Sequence, residues 1–260
     1  MSESKPKKQR LVSLDVMRGV TIAAMILVNN PGDWGHVYAP LDHSEWNGCT
    51  PTDLVFPFFL FMVGVSIVFA METKKADPAN HSRMIWGALR RMVSLILISW
   101  AISLFFRHSG PADVKGFWNN AAYVVGHIRI PGVLQRIAVV FFISSVLYIK
   151  GSQKFRDWFF AFALIGYFII MCCIPVPGVG YANLQPETNL GASLDRLVFG
   201  TNHLWRESKT WDPEGLLGTL PAIGTCFFGI RVGSWLKRGD VEGGTKVSWM
   251  FIYGTAAIVL

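Results

Sequence analysis

Arg10-Leu-Val-Ser-Leu-Asp-Val-Met-Arg-Gly19 opens an apolar run that closes on Val28-Asn29-Asn30-Pro31-Gly32. A short polar segment then carries His43-Ser-Glu-Trp-Asn-Gly48, and Thr50-Pro-Thr-Asp-Leu-Val-Phe-Pro-Phe-Phe59 opens a second apolar run. Each run is about the 20 residues that a helix needs to cross the hydrocarbon core of a bilayer. The second start is well marked: Thr50 suits an N-cap, Pro51 the first helical position, and Asp53 the acidic position three after the cap. The stretch reads as two membrane-length helices with a histidine held between them.

The same texture continues along the 260 residues, of which 52% are hydrophobic and 16% charged, against roughly 25% charged in soluble domains. Mean hydropathy is +0.38. Apolar spans fall at about 11–30, 51–71, 85–106, 131–149, 158–174 and 216–236, and a seventh begins near Val247. The expectation is an all-α polytopic membrane bundle of about seven spans, incomplete where the chain stops at Leu260. Residues 1–10 form a basic tail and 11–260 one transmembrane domain. The net charge of +7 is spread over short connections, not gathered into a basic patch with interleaved aromatics, so nucleic acid is not an expected partner. Cys49, Cys172, Cys173 and Cys226 form no disulfide framework and read as free thiols. The first run holds Asp15 and Arg18 and lacks a small-residue cleavage site, so it reads as a retained span.

Lysine and arginine placement predicts orientation. Alternate segments hold Lys5, Lys7, Lys8 and Arg10, then Lys74, Lys75, Arg83, Arg90 and Arg91. They continue with Lys150, Lys154 and Arg156, then Arg231, Lys237, Arg238 and Lys246. The opposite segments hold Arg107, Lys115, Arg129, Arg196, Arg206 and Lys209, and the Asn30 to Thr52 loop has none. The N-terminus is therefore expected in the cytoplasm and His43 outside. The long loops, rich in Gly, Pro, Trp, Asn and Asp, lie on that outer face, where function is expected.

Charges inside spans need pairing or a function. Asp15 and Arg18 stand at i and i+3, close enough to pair on one helix face. Arg136, beside Gln135, has two readings: a pair with a carboxylate on a neighbouring helix, or an anionic ligand such as a phosphate. His43, flanked by Asp42, Glu45, Trp46 and Asn47, suits a proton acceptor, with Asp53 to hold its tautomer and Asn29 to donate to an oxyanion. A hydrogen-bonded interfacial histidine fits the same pattern. A metal site on His36, His43, Asp33 or Asp42 matches no common ligand spacing. In Trp211-Asp212-Pro213-Glu214-Gly215, the acids suit the N-terminus of the next span, or with the indole a platform for a sugar.

Taken together, the blocks quoted above, with Arg129-Ile-Pro-Gly-Val-Leu-Gln-Arg136, resemble the heparan-alpha-glucosaminide N-acetyltransferase family with its bacterial relatives, a group of transmembrane acyltransferases. The resemblance implies a membrane domain that moves acetyl from cytoplasmic acetyl-CoA to an amino sugar on the far side, with no metal. It places the catalytic histidine on His43, as a general base or a transient acetyl carrier, the asparagine ending the first helix on Asn29 and the aspartate before Leu-Val-Phe-Pro on Asp53. The Asp-x-x-Arg-Gly pair falls on Asp15 and Arg18. These two, with Trp46, Asn47, Arg129, Gln135, Arg136, Trp211, Asp212 and Glu214, are the expected substrate- and CoA-binding set. The chain is expected to lack the lumenal domain of the lysosomal enzyme, which leaves the acceptor sugar open. A bacterial inner-membrane location follows as an expectation, with a glycan or amino sugar and the bilayer as partners and a homodimer as an open one. An amino-sugar permease without chemistry is the alternative.

Overall fold

The computed structural model describes residues 11–106 and 116–259. The basic tail, Arg107, His108, Lys115 and Leu260 lie outside the described residues. Among the described residues ten α-helices follow one another: α1 Val12–Val28, α2 Pro51–Lys75, α3 His81–Phe106, α4 Phe117–Gly126, α5 Val133–Lys150, α6 Gln153–Ala161, α7 Tyr167–Cys173, α8 Leu190–Phe199, α9 Thr219–Lys237 and α10 Gly243–Val259. Among the described residues there is no strand. A π-helical stretch, Phe162–Gly166, joins α6 to α7 into one continuous rod.

Every expected span is helical, and the chain is an integral membrane protein. Four stretches are long and apolar enough to cross by length and composition: Pro51–Lys75, Pro78–Phe105, Val133–Lys150 and Gln153–Cys173. The first and last expected spans, α1 and α10, have 17 residues each. The fifth begins at Gln153 rather than near Trp158, because Ser152 caps it by accepting the Phe155 N–H at 3.2 Å. Two short helices, α4 and α8, lie within segments expected to be loops. α2 starts where the sequence places it, with Asp53 as the third helical residue and a reciprocal capping box with Thr50. Pro57 lacks the N–H that would bond the Asp53 carbonyl, so the first turn relies on this cap.

The core lies among α2, α5 and α9. Leu60, Ile67 and Val68 of α2 meet Val140 and Tyr148 of α5 and Ile223, Cys226 and Ile230 of α9. α1 packs on α2, and α3 on α5. α10 leaves its apolar side chains exposed, and α3 leaves exposed about half of its own.

The α2–α9 pairing is the most extensive among the described residues and is a contact of backbones. A Cβ on Gly64 would stand 2.0 Å from the Cys226 carbonyl oxygen, and one on Gly229 would stand 2.0 Å from that of Phe61. A Cβ on Gly233 would stand 3.0 Å from the Val65 Cα. Gly229-Ile-Arg-Val-Gly233 is thus a small-xxx-small motif that lets two membrane helices approach closely. Gly64→Ala and Gly229→Ala are each expected to lower the melting temperature of the detergent-solubilised protein, by an overpacking cost of about 1–3 kcal/mol or more. Gly19→Ala, whose Cβ meets nothing within 4 Å on α1, is expected to leave it unchanged or slightly raised.

Candidate functional site

The start of α2 organises the loop before it. Asp53 Oδ2 accepts the Thr50 N–H at 2.9 Å, the Ser44 hydroxyl at 3.0 Å and the Ser44 N–H at 3.3 Å. Its Oδ1 meets His43 Nδ1 at 2.6 Å. The His43 N–H donates to Asp42 Oδ1 at 2.8 Å, and the Thr50 hydroxyl to the Asp42 carbonyl at 2.6 Å. Residues 42–50 therefore fold around one carboxylate. An ionised carboxylate only accepts, so the hydrogen sits on Nδ1 and the lone pair on Nε2. The His43 side chain is 63% exposed and that of Asp53 25%. An outward Nε2 with its tautomer held from behind is the arrangement of a proton acceptor.

A ladder of tryptophans leads away from this loop. Trp46 Nε1 donates to the Leu184 carbonyl at 2.8 Å. Its ring meets Trp211 edge-to-face, centroids 5.2 Å apart, and Trp211 meets Trp205 in the same manner at 5.3 Å. Such geometry sets the positive ring edge against the negative face. Trp46 remains 39% exposed, so it presents indole surface while the others back it.

The segment after Trp211 is held by Arg129. Its Nε donates to Asp212 Oδ2 at 2.8 Å and one terminal nitrogen to Asp212 Oδ1 at 2.5 Å, while the same nitrogen also bonds Glu214. The Asp212 side chain has no exposed surface. Asp212 and Glu214 do not cap the next span: α9 begins at Thr219 with Gly218 as its cap, and the guanidinium draws both acids into the turn before it. Arg136 does not take a carboxylate either. It donates to the Gly215 carbonyl at 2.8 Å, while Arg129 engages Asp212 and Glu214 and Asp195 accepts the Leu216 N–H. Gln135 accepts the Ser99 hydroxyl at 3.0 Å, which ties α5 to α3.

Beneath this turn lies Asp195 of α8, an acid the sequence reading passed over. It is 2% exposed and accepts the Leu216 N–H at 2.7 Å. Gly215 packs so closely on it that a Cβ there would stand 1.9 Å from Oδ2. Burial pushes the Asp195 carboxyl up to about 6, against the pull of the Leu216 N–H. Burial also raises Glu214 despite the Arg129 charge. Burial works to lower Arg129 itself, but the bond to Asp212 and the charges of Asp212 and Glu214 carry it upward.

Other expected residues stand apart. Asn29, the residue ending α1, donates Nδ2 to the Met25 carbonyl at 2.8 Å, and Asn30 does the same to Ile26. The Met25 carbonyl also accepts the Asn29 backbone N–H at 3.1 Å, so the Asn29 amide reinforces the end of the helix, whose last carbonyls have few partners of their own. Among the described residues no hydrogen bond joins Asn29 or Asn47 to His43. Asp15 and Arg18 pair at 3.3 Å as their spacing predicts, and Arg18 also reaches Ser66 of α2. Ser66 lies 13 residues beyond Asp53, about 20 Å along the helix, so this pair belongs to a deeper level of the bundle. His36 pairs with Asp33 at 2.6 Å, both largely exposed. All four cysteines are free thiols.

Residues 10–111 match a family model described as a domain of unknown function, DUF5009. Over 299 aligned residues the chain is 29% identical to heparan-alpha-glucosaminide N-acetyltransferase of Homo sapiens and likewise to that of Mus musculus. Each alignment covers 96% of this chain and 43% of the relative, so the chain spans less than half of the relatives' length. The resemblance carried by the sequence blocks extends across nearly the whole chain.

Arg129→Ala is expected to destabilise the solubilised protein by about 3 kcal/mol, because it strands Asp212 as an unpaired buried charge; thermal unfolding in detergent measures this. Asp195 sets a pH dependence. Its folded-state value, about 6, lies above that of an ordinary aspartate, so its favourable contribution is complete below the unfolded value and is lost as pH rises through the folded one. The wild type is expected to gain stability from pH 8 to pH 5 relative to Asp195→Asn, whose side chain does not ionise.

Proposed function

We propose that the chain is the membrane domain of an N-acetyltransferase, with residues 11–260 acting as one unit and acetyl-CoA as the donor. The observation that carries this reading is the His43–Asp53 pair at 2.6 Å with Nε2 outward, in a chain similar over 96% of its length to enzymes named for that reaction. Charge placement supports a cytoplasmic N-terminus and a site on the outer side of a bacterial inner membrane. The acceptor is an amino sugar or glycan amine, for which the exposed Trp46 indole offers a ring-stacking surface.

The acceptor nitrogen attacks the thioester carbonyl while His43 Nε2 takes its proton, and Asp53 stabilises the imidazolium. The oxyanion so formed needs a donor, and the second N–H of the Asn29 amide is the candidate. Collapse of the tetrahedral species expels CoA as a thiolate, which takes up the proton carried by His43. Arg129, Asp212 and Glu214 hold Trp211 against Trp46 and so position the acceptor side of the site. Asp15, Arg18, Gln135 and Arg136 lie along the donor's route through the bundle, and Asn47 stands next to the stacking residue.

Full-length protein in vesicles, given labelled acetyl-CoA inside and amino sugars outside, tests the reading. His43→Ala is expected to abolish transfer while leaving the protein folded. Asp53→Asn is expected to lower kcat by about 10²–10⁴-fold, because an amide permits the wrong imidazole tautomer. Sugar uptake without acetylation, unaffected by CoA, would instead identify a permease.

A further inference from the structure

At the end of α2 remote from His43, two cations share one aromatic ring. Lys75 Nζ lies 4.3 Å from the centroid of Tyr148, and the guanidinium carbon of Arg156 lies 5.1 Å from the same centroid. Tyr148 is 1% exposed and Arg156 8%, and among the described residues neither the Tyr148 hydroxyl nor the Arg156 Nε has a hydrogen-bond partner. The other guanidinium nitrogens bond only neutral oxygens: the Gly151 carbonyl at 2.8 Å, the Tyr148 carbonyl at 3.4 Å and Gln153 Oε1. Among the described residues no carboxylate lies within ion-pair distance of Lys75 or Arg156. Asp157 is engaged by Arg231 at 3.0 Å, and Glu72, one turn before Lys75, acts on both cations only through its field.

Carbonyl capping at the end of α5 accounts for the pose of Arg156. It does not account for a second cation brought onto the same ring. Like charges held together in partly buried surroundings favour an anion between or beside them. The start of α6, capped by Ser152 and carrying Arg156 in its first turns, adds the N-terminal dipole of a rod that runs on to Cys173. Lys150 and Lys154 flank the same turn and add to the positive field.

We infer that Lys75 and Arg156, set on Tyr148, form a binding site for a phosphate or pyrophosphate group, with Lys75 making contact and Arg156 supplying a buried charge. The site is independent of whether His43 acts as a base. It lies 22 residues along α2 from Asp53, about 33 Å, so it serves the opposite membrane surface. The same phosphate chemistry is found on an anionic lipid headgroup and on a soluble nucleotide-type ligand.

The test uses the full chain in nanodiscs of zwitterionic lipid, with inorganic pyrophosphate and CoA as probes and melting temperature as the readout. Both probes are expected to raise the wild-type melting temperature, since a ligand of the native state stabilises it. Lys75→Gln is expected to weaken the half-maximal response about tenfold, an amount set by losing one charge-assisted contact, and Lys75→Arg to restore it. His43→Ala is expected to retain the full response, which separates this site from the acetyl-transfer chemistry. If nanodiscs containing phosphatidylglycerol raise the starting temperature through Lys75 and remove the response to pyrophosphate and CoA, the phosphate is a lipid's. If the response persists in both lipids, it is a soluble ligand's. No shift with pyrophosphate, CoA or phosphatidylglycerol, or equal shifts in wild type and Lys75→Gln, overturns the inference.

Discussion

The backbone contact between α2 and α9 is the constraint on which the rest of the structure depends. Two helices at this distance have no room for side chains between them, so glycine is required at Gly64 and Gly229. Close approach maximises dispersion where lipid tails remove any hydrophobic advantage of association. It also fixes the helices lengthwise, because Gly64 must meet Cys226 and Gly229 must meet Phe61. α2 begins at the His43 loop and α9 follows the Trp211 turn, so their register brings those two segments to the same end of the bundle.

Polar contacts then complete what the register begins. Trp46 and Trp211 meet edge-to-face, and Arg129, at the entry to α5, holds the acids that follow Trp211. Segments far apart in sequence are joined by few side chains, each with a defined partner. The buried acids cost desolvation, which the guanidinium offsets only while its geometry is kept. That requirement makes the Trp211 turn a rigid wall for the loop carrying His43.

The parts of this arrangement legible in sequence are those governed by local physics. Runs of about 20 apolar residues announce membrane helices, and Thr50, Pro51 and Asp53 mark a helix start by their chemistry. The Asp15–Arg18 pair follows from helical spacing. Arg129 with Asp212 was not legible as a pair, because 83 residues separate them and nothing local favours Arg129 over Arg136. The acids near α9 resembled caps because the turn that precedes it has no distinctive pattern. Asp195 was missed, although Asn189 is a readable cap for α8 and accepts the Ala192 N–H at 2.8 Å. The Gly229-x-x-x-Gly233 spacing was a signal available in the chain, and it marks the helix contact described above.

Asp53 is at once half of the capping box of α2 and the partner of His43. Helix initiation and imidazole orientation therefore rest on the same two oxygen atoms. Fraying of the first turn releases Ser44, Thr50 and His43 together, so opening of the loop and loss of the aligned base are a single cooperative event. Substitutions elsewhere that loosen the helix start reach the imidazole without touching it. In this protein, amide exchange at Thr50 is a gauge of how often the histidine is aligned.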